Sequence, residues 1–167
     1  MSKNIVLIGM PGCGKSTIGL ELSKRLSMDF IDIDSYIEKN ENMTISGMFE
    51  VSEEYFREIE SKYVEKLSGL NSTVISAGGG AVKKDRNMQL LKVNSVIIYI
   101  NRKTDDIIKD IDVDIRPLLK DNKERLYELY PKRHPLYQRY CDIEILNDSD
   151  VLSVTEKICG ILDTMNR

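Results

Sequence analysis

Residues 4–17 have the sequence NIVLIGMPGCGKST, in which an apolar run leads directly into the pattern G-x-x-x-x-G-K-S/T. This pattern is the P-loop, whose glycines let successive backbone N–H groups point at phosphate oxygens. The run Ile5–Ile8 predicts a buried strand, and Ser16–Leu26 predicts an amphipathic helix. Strand, glycine loop and helix follow in the order that phosphate binding needs, because the helix N-terminus adds a partial positive charge. The stretch therefore predicts an α/β fold that binds a nucleoside triphosphate.

Two side chains of the P-loop have roles that follow from their chemistry. Lys15 can bridge the β- and γ-phosphates, and the Ser16 hydroxyl can ligate Mg²⁺. A glycine-rich turn that only caps a helix is the alternative. Cys13 also has two interpretations, either a functional thiol near a helix N-terminus or a small residue tolerated at a variable loop position.

The composition is that of an ordinary globular chain. Of its 167 residues, 41% are hydrophobic and 31% are charged, and this length predicts one domain, residues 1–167, with one core. The net charge of −3 predicts no general attraction to nucleic acid or membranes, so any anion site must be locally positive. No apolar run approaches the roughly 20 residues that cross a bilayer, and we expect no signal peptide before the first strand. Three cysteines without metal-ligand or redox-pair spacing favour a cytoplasmic protein.

Apolar runs alternate with helical patterns along the chain. Most of the runs are near-continuous in Ile, Val or Leu, which is typical of strands buried on both faces. The alternation predicts a five-stranded parallel sheet inside a three-layer α/β/α sandwich, with ligands beyond the carboxyl ends of the strands. The predicted strands are Ile5–Ile8, Asp29–Ile33, Thr73–Ser76, Ser95–Ile100 and Asp142–Ile145, and the predicted helices are Ser16–Leu26, Ser35–Asn40, Ser52–Leu67, Asp85–Leu91, Lys123–Tyr140 and Asp150–Met165.

The segment from about 103 to 124 differs from the rest of the chain. It is highly charged, has little core pattern and contains Arg116-Pro117. Charged surface segments of this kind often form lids over active sites, so we predict a lid here. A solvated connecting helix and turn is the alternative.

Two carboxylates stand at the end of the second predicted strand. Alternation along that strand predicts that Asp32 and Asp34 point the same way. Their position close to the P-loop favours one carboxylate near Mg²⁺ and the other near an acceptor. Capping of the following helix is the alternative role, and it does not exclude the first.

Charged and glycine-rich sites follow further along the chain. Arg57 and Glu60 are three residues apart in a predicted helix, so Glu60 can hold the guanidinium while its fork binds a carboxylate or phosphate. An ordinary surface pair is the alternative. Three glycines at 78–80 come after the third strand, where they allow backbone N–H groups to approach a ligand, unless they are simply a flexible loop.

Taken in order, these features resemble the shikimate kinases, small monomeric P-loop kinases of the nucleoside-monophosphate-kinase type. The resemblance extends over nearly the whole chain, and the order and spacing of its blocks make it specific. The blocks are GMPGCGKST at 9–17, DID at 32–34, FREIE at 56–60, GGGAV at 78–82, RPLL at 116–119 and RHPLY at 133–137.

The resemblance implies transfer of the ATP γ-phosphoryl group to the 3-hydroxyl of shikimate, which gives shikimate 3-phosphate and ADP. This reaction belongs to aromatic amino-acid biosynthesis by way of chorismate. ATP and shikimate are then the small-molecule partners, Mg²⁺ is the cofactor, and the protein is a cytoplasmic monomer. A P-loop kinase for another small acceptor, such as gluconate or a nucleotide, and a slowly hydrolysing nucleotide-dependent switch are the alternatives.

The resemblance also implies a role for each matched residue. The implied catalytic residues are Lys15, Asp34 as candidate base for the attacking hydroxyl, and Arg116 on the lid. Lys109 stands where many members have an arginine that stacks on adenine. The implied ATP-binding residues are Gly12, Cys13, Gly14, Lys15, Ser16, Thr17, Lys109 and Arg116; the implied shikimate-binding residues, in a region that includes about 34–60, are Asp34, Arg57, Gly78, Gly79, Gly80 and Arg133; the implied metal ligands are Ser16 directly and Asp32 through water.

Overall fold

The computed structural model describes residues 3–110 and 124–165. Its five strands form one parallel sheet in the order β2-β3-β1-β4-β5. The strands are β1 (Asn4–Ile8), β2 (Asp29–Asp32), β3 (Thr73–Ser76), β4 (Ser95–Asn101) and β5 (Ile143–Leu146). The described helices are α1 (Lys15–Leu26), α2 (Ile33–Glu41), α3 (Ile45–Val51), α4 (Glu53–Ser68), α5 (Asp85–Lys92), α6 (Thr104–Asp110), α7 (Arg125–Tyr140) and α8 (Val151–Met165), with one 3₁₀ turn at Ala81–Lys83. This architecture confirms the predicted α/β fold.

The core lies around β1, the central strand. All five of its residues are buried, which requires helices on both faces of the sheet. Each fully buried Leu or Ile contributes about 1.5–3 kcal/mol to folding. The edge strands β2 and β5 are more exposed, and α1 covers the sheet next to α8. None of the described helices is both long enough and apolar enough to cross a bilayer.

The sheet places the P-loop beside the glycine loop. Leu7 on β1 pairs with Ser76 on β3, and Ala77 continues the ladder by donating its N–H to the Leu7 carbonyl at 3.0 Å. Because β1 and β3 are parallel neighbours, the loops that follow them leave the same edge of the sheet. Residues 9–14 and 78–80 therefore lie next to each other.

The structure corrects the predicted environment of Asp34. The strand ends at Asp32, and α2 begins at Ile33 rather than at Ser35, so Asp34 lies in the first turn of a helix. The strand ends there because the Asp32 carboxylate accepts a hydrogen bond from the Ser35 N–H at 3.1 Å, as an N-cap does. Strand alternation was thus the wrong argument for placing the two carboxylates together.

Two helices were not predicted. Helix α3 begins after Thr44, whose hydroxyl accepts a hydrogen bond from the Gly47 N–H at 3.1 Å, and it buries Met48. Helix α6 lies in the segment predicted as a lid, for which a solvated connecting helix was only the alternative, and its Ile107 is fully buried. Both helices have seven residues, too few for a clear helical period. Residues 111–123, which include most of the predicted lid and Arg116, lie outside the described residues.

Candidate active site

The P-loop has the positive φ angles that favour glycine at three positions, which include Gly12 with a φ of 80°, and at the other two a Cβ would also collide with its surroundings. Gly9 has a φ of 150° and Gly14 a φ of 100°. A Cβ on Gly9 would lie 2.5 Å from the Ile100 carbonyl oxygen, and one on Gly14 would lie 2.9 Å from Nδ2 of Asn147. The loop therefore packs closely against β4 and the loop after β5. At the start of helix α1 no side chain of these glycines blocks access to the backbone N–H groups.

The Lys15 ammonium group is held in the curve of this loop. Its Nζ donates to the carbonyl oxygens of Gly9 and Met10, both at 2.9 Å. Cys13 also contacts it, with Sγ 3.8 Å from Nζ, and this cysteine is fully buried. A completely buried thiol favours the interpretation of Cys13 as a small residue tolerated in the loop.

Ser16 and Asp32 form a pair of oxygens beside Lys15. The Ser16 hydroxyl donates to Oδ2 of Asp32 at 2.5 Å, while Oδ1 of Asp32 caps helix α2. The Ser76 hydroxyl lies 3.4 Å from that of Ser16. A hydroxyl and a carboxylate at the edge of a phosphate site are hard oxygen donors of the kind Mg²⁺ takes, with its other positions filled by phosphates and water. The residues present therefore fit the implied metal.

Asp34, in the first turn of α2, lines the same pocket as Ser16 and Asp32. Among the described residues, its Oδ1 is buried and has no hydrogen-bond partner. Burial raises the pKa of Asp34 to about 7, and the charges of Glu60 and Asp32 act in the same direction. The charges of Lys15 and Arg57 oppose the shift. A carboxyl with a pKa near neutrality suits a group that accepts a proton or hydrogen bond from a substrate hydroxyl.

Arg57 is fixed by a buried ion pair. Its Nη1 lies 2.7 Å from Oε2 of Glu60, and only 8% of Arg57 and 0% of Glu60 is exposed. The guanidinium also lies over the rings of Phe56 and Phe49, at 5.1 and 5.8 Å from the centroids. Burial raises the pKa of Glu60, and the Arg57 charge opposes the shift. The predicted orienting role of Glu60 matches this geometry, and an ordinary surface pair does not.

The glycine loop packs directly on these charged groups. A Cβ on Gly78 would lie 2.9 Å from both Oδ1 of Asp34 and Oε1 of Glu60, and one on Gly80 would lie 2.1 Å from Nη2 of Arg57. Any side chain at either position would displace a charged group of the cavity. The loop is therefore a fitted wall of the site rather than a flexible connection.

One cavity of about 570 Å³ brings most of the predicted residues together. The cavity extends from the P-loop to the Arg57–Glu60 pair. A phosphate bound at the first end and a carboxylate bound at the second would each lie beside a positively charged side chain. The predicted residues that line it are Lys15, Ser16, Asp32, Asp34, Arg57, Gly78, Gly79, Gly80 and Arg133. Gly12, Cys13, Gly14 and Thr17 belong to the P-loop but are not among the residues that line this cavity in the described part of the chain.

Lys109 lines a second, polar cavity of about 270 Å³. Its Nζ lies 3.3 Å from Oδ1 of Asp106. Asn147 joins this cavity to the P-loop, because its Nδ2 donates to the Cys13 carbonyl at 2.8 Å. The cavity is lined by Arg102, Asp106, Lys109, Asp110, Asn147, Asp148 and Ser149.

Several residues of the two cavities were not predicted. Arg102 and Asn147 directly follow β4 and β5, so the rule that ligands bind beyond strand ends would have found them. Phe49 lines the larger cavity from the unpredicted helix α3, and nothing in its local sequence distinguishes it from a core residue. Within the described part of the chain, Tyr137 lines neither of these cavities, but it contacts the glycine loop beside the larger one, and its contacts depend on the packing of α7.

Comparisons with known proteins identify the family to which the chain belongs. The shikimate kinase family model matches residues 11–163 of the chain. Shikimate kinase of Clostridium botulinum (strain Alaska E43 / Type E3) is 47% identical over 162 residues, which cover 97% of this chain and 98% of that protein. Shikimate kinase of Clostridium beijerinckii is 42% identical and is matched over 97% and 96% of the two chains.

Solved structures give the same result in three dimensions. Shikimate kinase from Acinetobacter baumannii in complex with shikimate aligns with a TM-score of 0.93 at 28% identity, over 98% of this chain and 94% of that one. Shikimate kinase from Aquifex aeolicus aligns with a TM-score of 0.83 at 28% identity, over 98% of both chains. With this agreement in sequence, fold and length, the chain belongs to the shikimate kinase family.

Proposed function

We propose that the large cavity holds shikimate against the γ-phosphate of ATP, so that the phosphoryl group passes to the 3-hydroxyl and gives shikimate 3-phosphate and ADP. The observation that carries this proposal is one cavity with two cationic ends, Lys15 at the P-loop and Arg57 with Arg133 at the far end. Asp34 lies between these ends. That spacing suits a small ring with a carboxylate on one side and a hydroxyl on the other.

The acceptor half of the site follows from the paired arginines. Arg57 is held by Glu60 and over two aromatic rings, so its remaining N–H groups keep one direction. Arg133 lines the same cavity from α7. Two guanidinium groups can grip one carboxylate by charge-assisted hydrogen bonds, which orients the ring and leaves a hydroxyl toward Asp34.

The donor half of the site follows from the P-loop. Backbone N–H groups of residues 12–17 bind the phosphates at the start of α1, and Lys15 exchanges its two carbonyl partners for the β- and γ-phosphates. Phosphoryl transfer needs alignment and charge neutralisation more than covalent help, so these groups supply most of the catalysis. The implied role of Arg116, which is to close over the phosphates, remains a prediction.

The nucleoside end of ATP is proposed to enter the second cavity. That cavity is polar and reaches the P-loop through Asn147, whose side chain binds the Cys13 carbonyl. Lys109 lines it, as its implied contact with ATP requires, and Arg102 adds a planar guanidinium that a base can stack on.

Mg²⁺ is proposed to bind the Ser16 hydroxyl directly and Asp32 through water. When bound, the ion neutralises charge on the β- and γ-phosphates. Ser16 and Asp32 are already oriented by their mutual hydrogen bond and by the cap on α2. Orientation by such neighbours is worth about 10–100-fold in metal affinity.

Replacing Asp32 with Asn is expected to raise the Mg²⁺ concentration for half-maximal activity at least about tenfold, because the carboxylate charge is lost. The amide oxygen still caps α2, so the fold is retained. Mg²⁺-dependent binding of ATP, measured by calorimetry, should weaken in parallel. Asp150→Asn is the matched control, since Asp150 caps α8 through the Ser153 N–H at 3.0 Å, and it should change neither value. An unchanged Mg²⁺ dependence in Asp32→Asn would exclude the role.

An acceptor screen tests the function itself. Purified protein with Mg-ATP should release ADP rapidly only when shikimate is present, and ³¹P NMR should show a phosphate on the 3-hydroxyl. Gluconate, a nucleoside monophosphate and shikimate methyl ester should each be poor acceptors, because none places a compact ring carboxylate between the two arginines. Equal rates with gluconate, or no turnover with shikimate, would contradict the proposal.

We also propose a monomer that acts in the cytoplasm. The monomer is what the resemblance to the small shikimate kinases implies. All three cysteines are free, as a reducing compartment favours. A sedimentation coefficient that stays at the monomer value over a wide concentration range would support the monomer, and a dimer at assay concentration would refute it.

A further inference from the structure

Tyr137 is a buried tyrosine on α7 that has no assigned role in the proposed phosphoryl transfer. Its side chain is fully buried, and its ring stacks on that of Tyr99 with the centroids 5.0 Å apart. Burial raises the pKa of Tyr137 well above its usual range, so the phenol keeps its proton. Helix α7 therefore carries a permanent hydrogen-bond donor into the centre of the molecule.

The phenol donates that hydrogen bond to the glycine loop. Its oxygen lies 2.5 Å from the Gly79 carbonyl oxygen, and 3.9 Å from Sδ of Met10 in the P-loop. Because a hydroxyl has one proton, the carbonyl at 2.5 Å receives it. The middle residue of the glycine loop is thus tied to α7 by one short hydrogen bond.

That bond fixes a loop with little freedom to move. Gly78 touches Asp34 and Glu60, Gly79 touches Pro11, and Gly80 touches Arg57, each so closely that a Cβ would collide with its neighbour. A shift of the Gly79 carbonyl would therefore also move Gly78, which lies against Asp34, and Gly80, which lies against Arg57. The Tyr137 hydroxyl therefore holds in place the glycine loop against which Asp34 and Arg57 pack.

The same phenol also acts on Arg133. The two residues are four apart on α7, so their side chains share a face. The positive charge of Arg133 opposes the rise in the pKa of Tyr137, which places the guanidinium near the phenol. The guanidinium of Arg133 therefore lies close enough to the phenol to act on it through its charge, while the phenol donates to the Gly79 carbonyl.

We infer that Tyr137 is a positioning residue for the acceptor, because its hydroxyl group holds the glycine loop at Gly79 and its phenol packs beside the charged Arg133. This inference rests on the proposed function, because it concerns the affinity for shikimate. Tyr137 itself does not line the large cavity among the described residues, so it acts through these two neighbours.

The test is Tyr137→Phe, which keeps the ring stacked on Tyr99 and removes only the hydroxyl. The shikimate KM should rise about tenfold, the usual scale of one lost buried hydrogen bond. The ATP KM should stay within about twofold, because the phosphate contacts come from the P-loop backbone. Hydrogen exchange of the segment 77–83 should become faster in the variant, which reports on the loop without any turnover.

Tyr140→Phe is the matched control. Tyr140 lies on the same helix, and its hydroxyl donates to Oδ1 of Asp85 at 2.6 Å away from the large cavity. This variant should leave both KM values and the exchange of 77–83 unchanged. The inference is overturned if Tyr137→Phe keeps the wild-type shikimate KM, if both KM values rise equally, or if the variant does not fold at any temperature. Failure of the proposed function would instead appear in the wild-type protein, as absent turnover of shikimate.

Discussion

Asn in place of Asp34 is expected to lower kcat at least about a hundredfold, the scale of a lost general base or hydroxyl-orienting group. The amide has nearly the shape of the carboxyl, so the cavity and the binding of ATP should remain. Steady-state kinetics with shikimate as variable substrate measures the loss. Asp163→Asn, which makes the same change at an exposed position of α8, should have wild-type kinetics.

The same replacement is expected to stabilise the fold at pH 8. Folding raises the pKa of Asp34 from 3.8 to about 7, so the native state binds this proton more tightly than the unfolded chain. The stabilisation from protonated Asp34 is fully present below about pH 4, and it is lost as the pH rises through about 7. A neutral amide avoids that loss, and by the shift its gain at pH 8 is at most about 4 kcal/mol.

Urea unfolding at pH 4 and pH 8 measures this effect. Asp34→Asn should be close to wild type at pH 4 and more stable at pH 8, whereas Asp163→Asn should match wild type at both. Full activity of the Asn variant would show that Asp34 does not accept a proton or hydrogen bond from the substrate hydroxyl. No gain in stability at pH 8 would show that burial does not destabilise its carboxylate.

Alanine in place of Arg57 is expected to raise the shikimate KM at least about a hundredfold, because buried charge-assisted contacts to a carboxylate are lost. It should also destabilise the protein by about 3–5 kcal/mol, since it leaves the buried Glu60 without its partner. The ATP KM should stay near the wild-type value. Arg86→Ala is the control, because Arg86 pairs with Glu65 at 3.1 Å with both side chains largely exposed, and such pairs contribute about 0–1 kcal/mol.

A double variant separates the two effects of Arg57. Arg57→Ala with Glu60→Gln removes the buried charge as well as its partner, so much of the lost stability should return. The shikimate KM should stay high, because the guanidinium is still missing. If affinity for shikimate returned together with stability, Arg57 would act only through the fold and would not grip the carboxylate.

The sequence was most informative where local chemistry and local structure coincide. The P-loop needs its glycines and Lys15 within a few consecutive residues, and the spacing of Arg57 and Glu60 places both on one helical face without reference to the rest of the chain. Strand predictions were accurate to within one or two residues, because buried parallel strands require continuous apolar runs. Asp34 was predicted between the strand and the helix, whereas it lies in the first turn of α2, since the end of β2 depends on a single capping hydrogen bond made by Asp32.

The phosphate loop, the parallel sheet and most of the charged residues at its edge could be predicted from the sequence alone, because they follow from glycine geometry, hydrophobic pattern and recognisable motifs. The burial, pKa and distant contacts of those residues depend on the tertiary structure. The burial of Glu60 turns an ordinary helical ion pair into a fixed guanidinium, and the burial of Asp34, together with the charges of Glu60 and Asp32, raises its pKa to about 7. The contact of Tyr137 with Gly79 joins residues 58 positions apart. Burial and such distant contacts arise from the packing of whole elements, which no short stretch of sequence records.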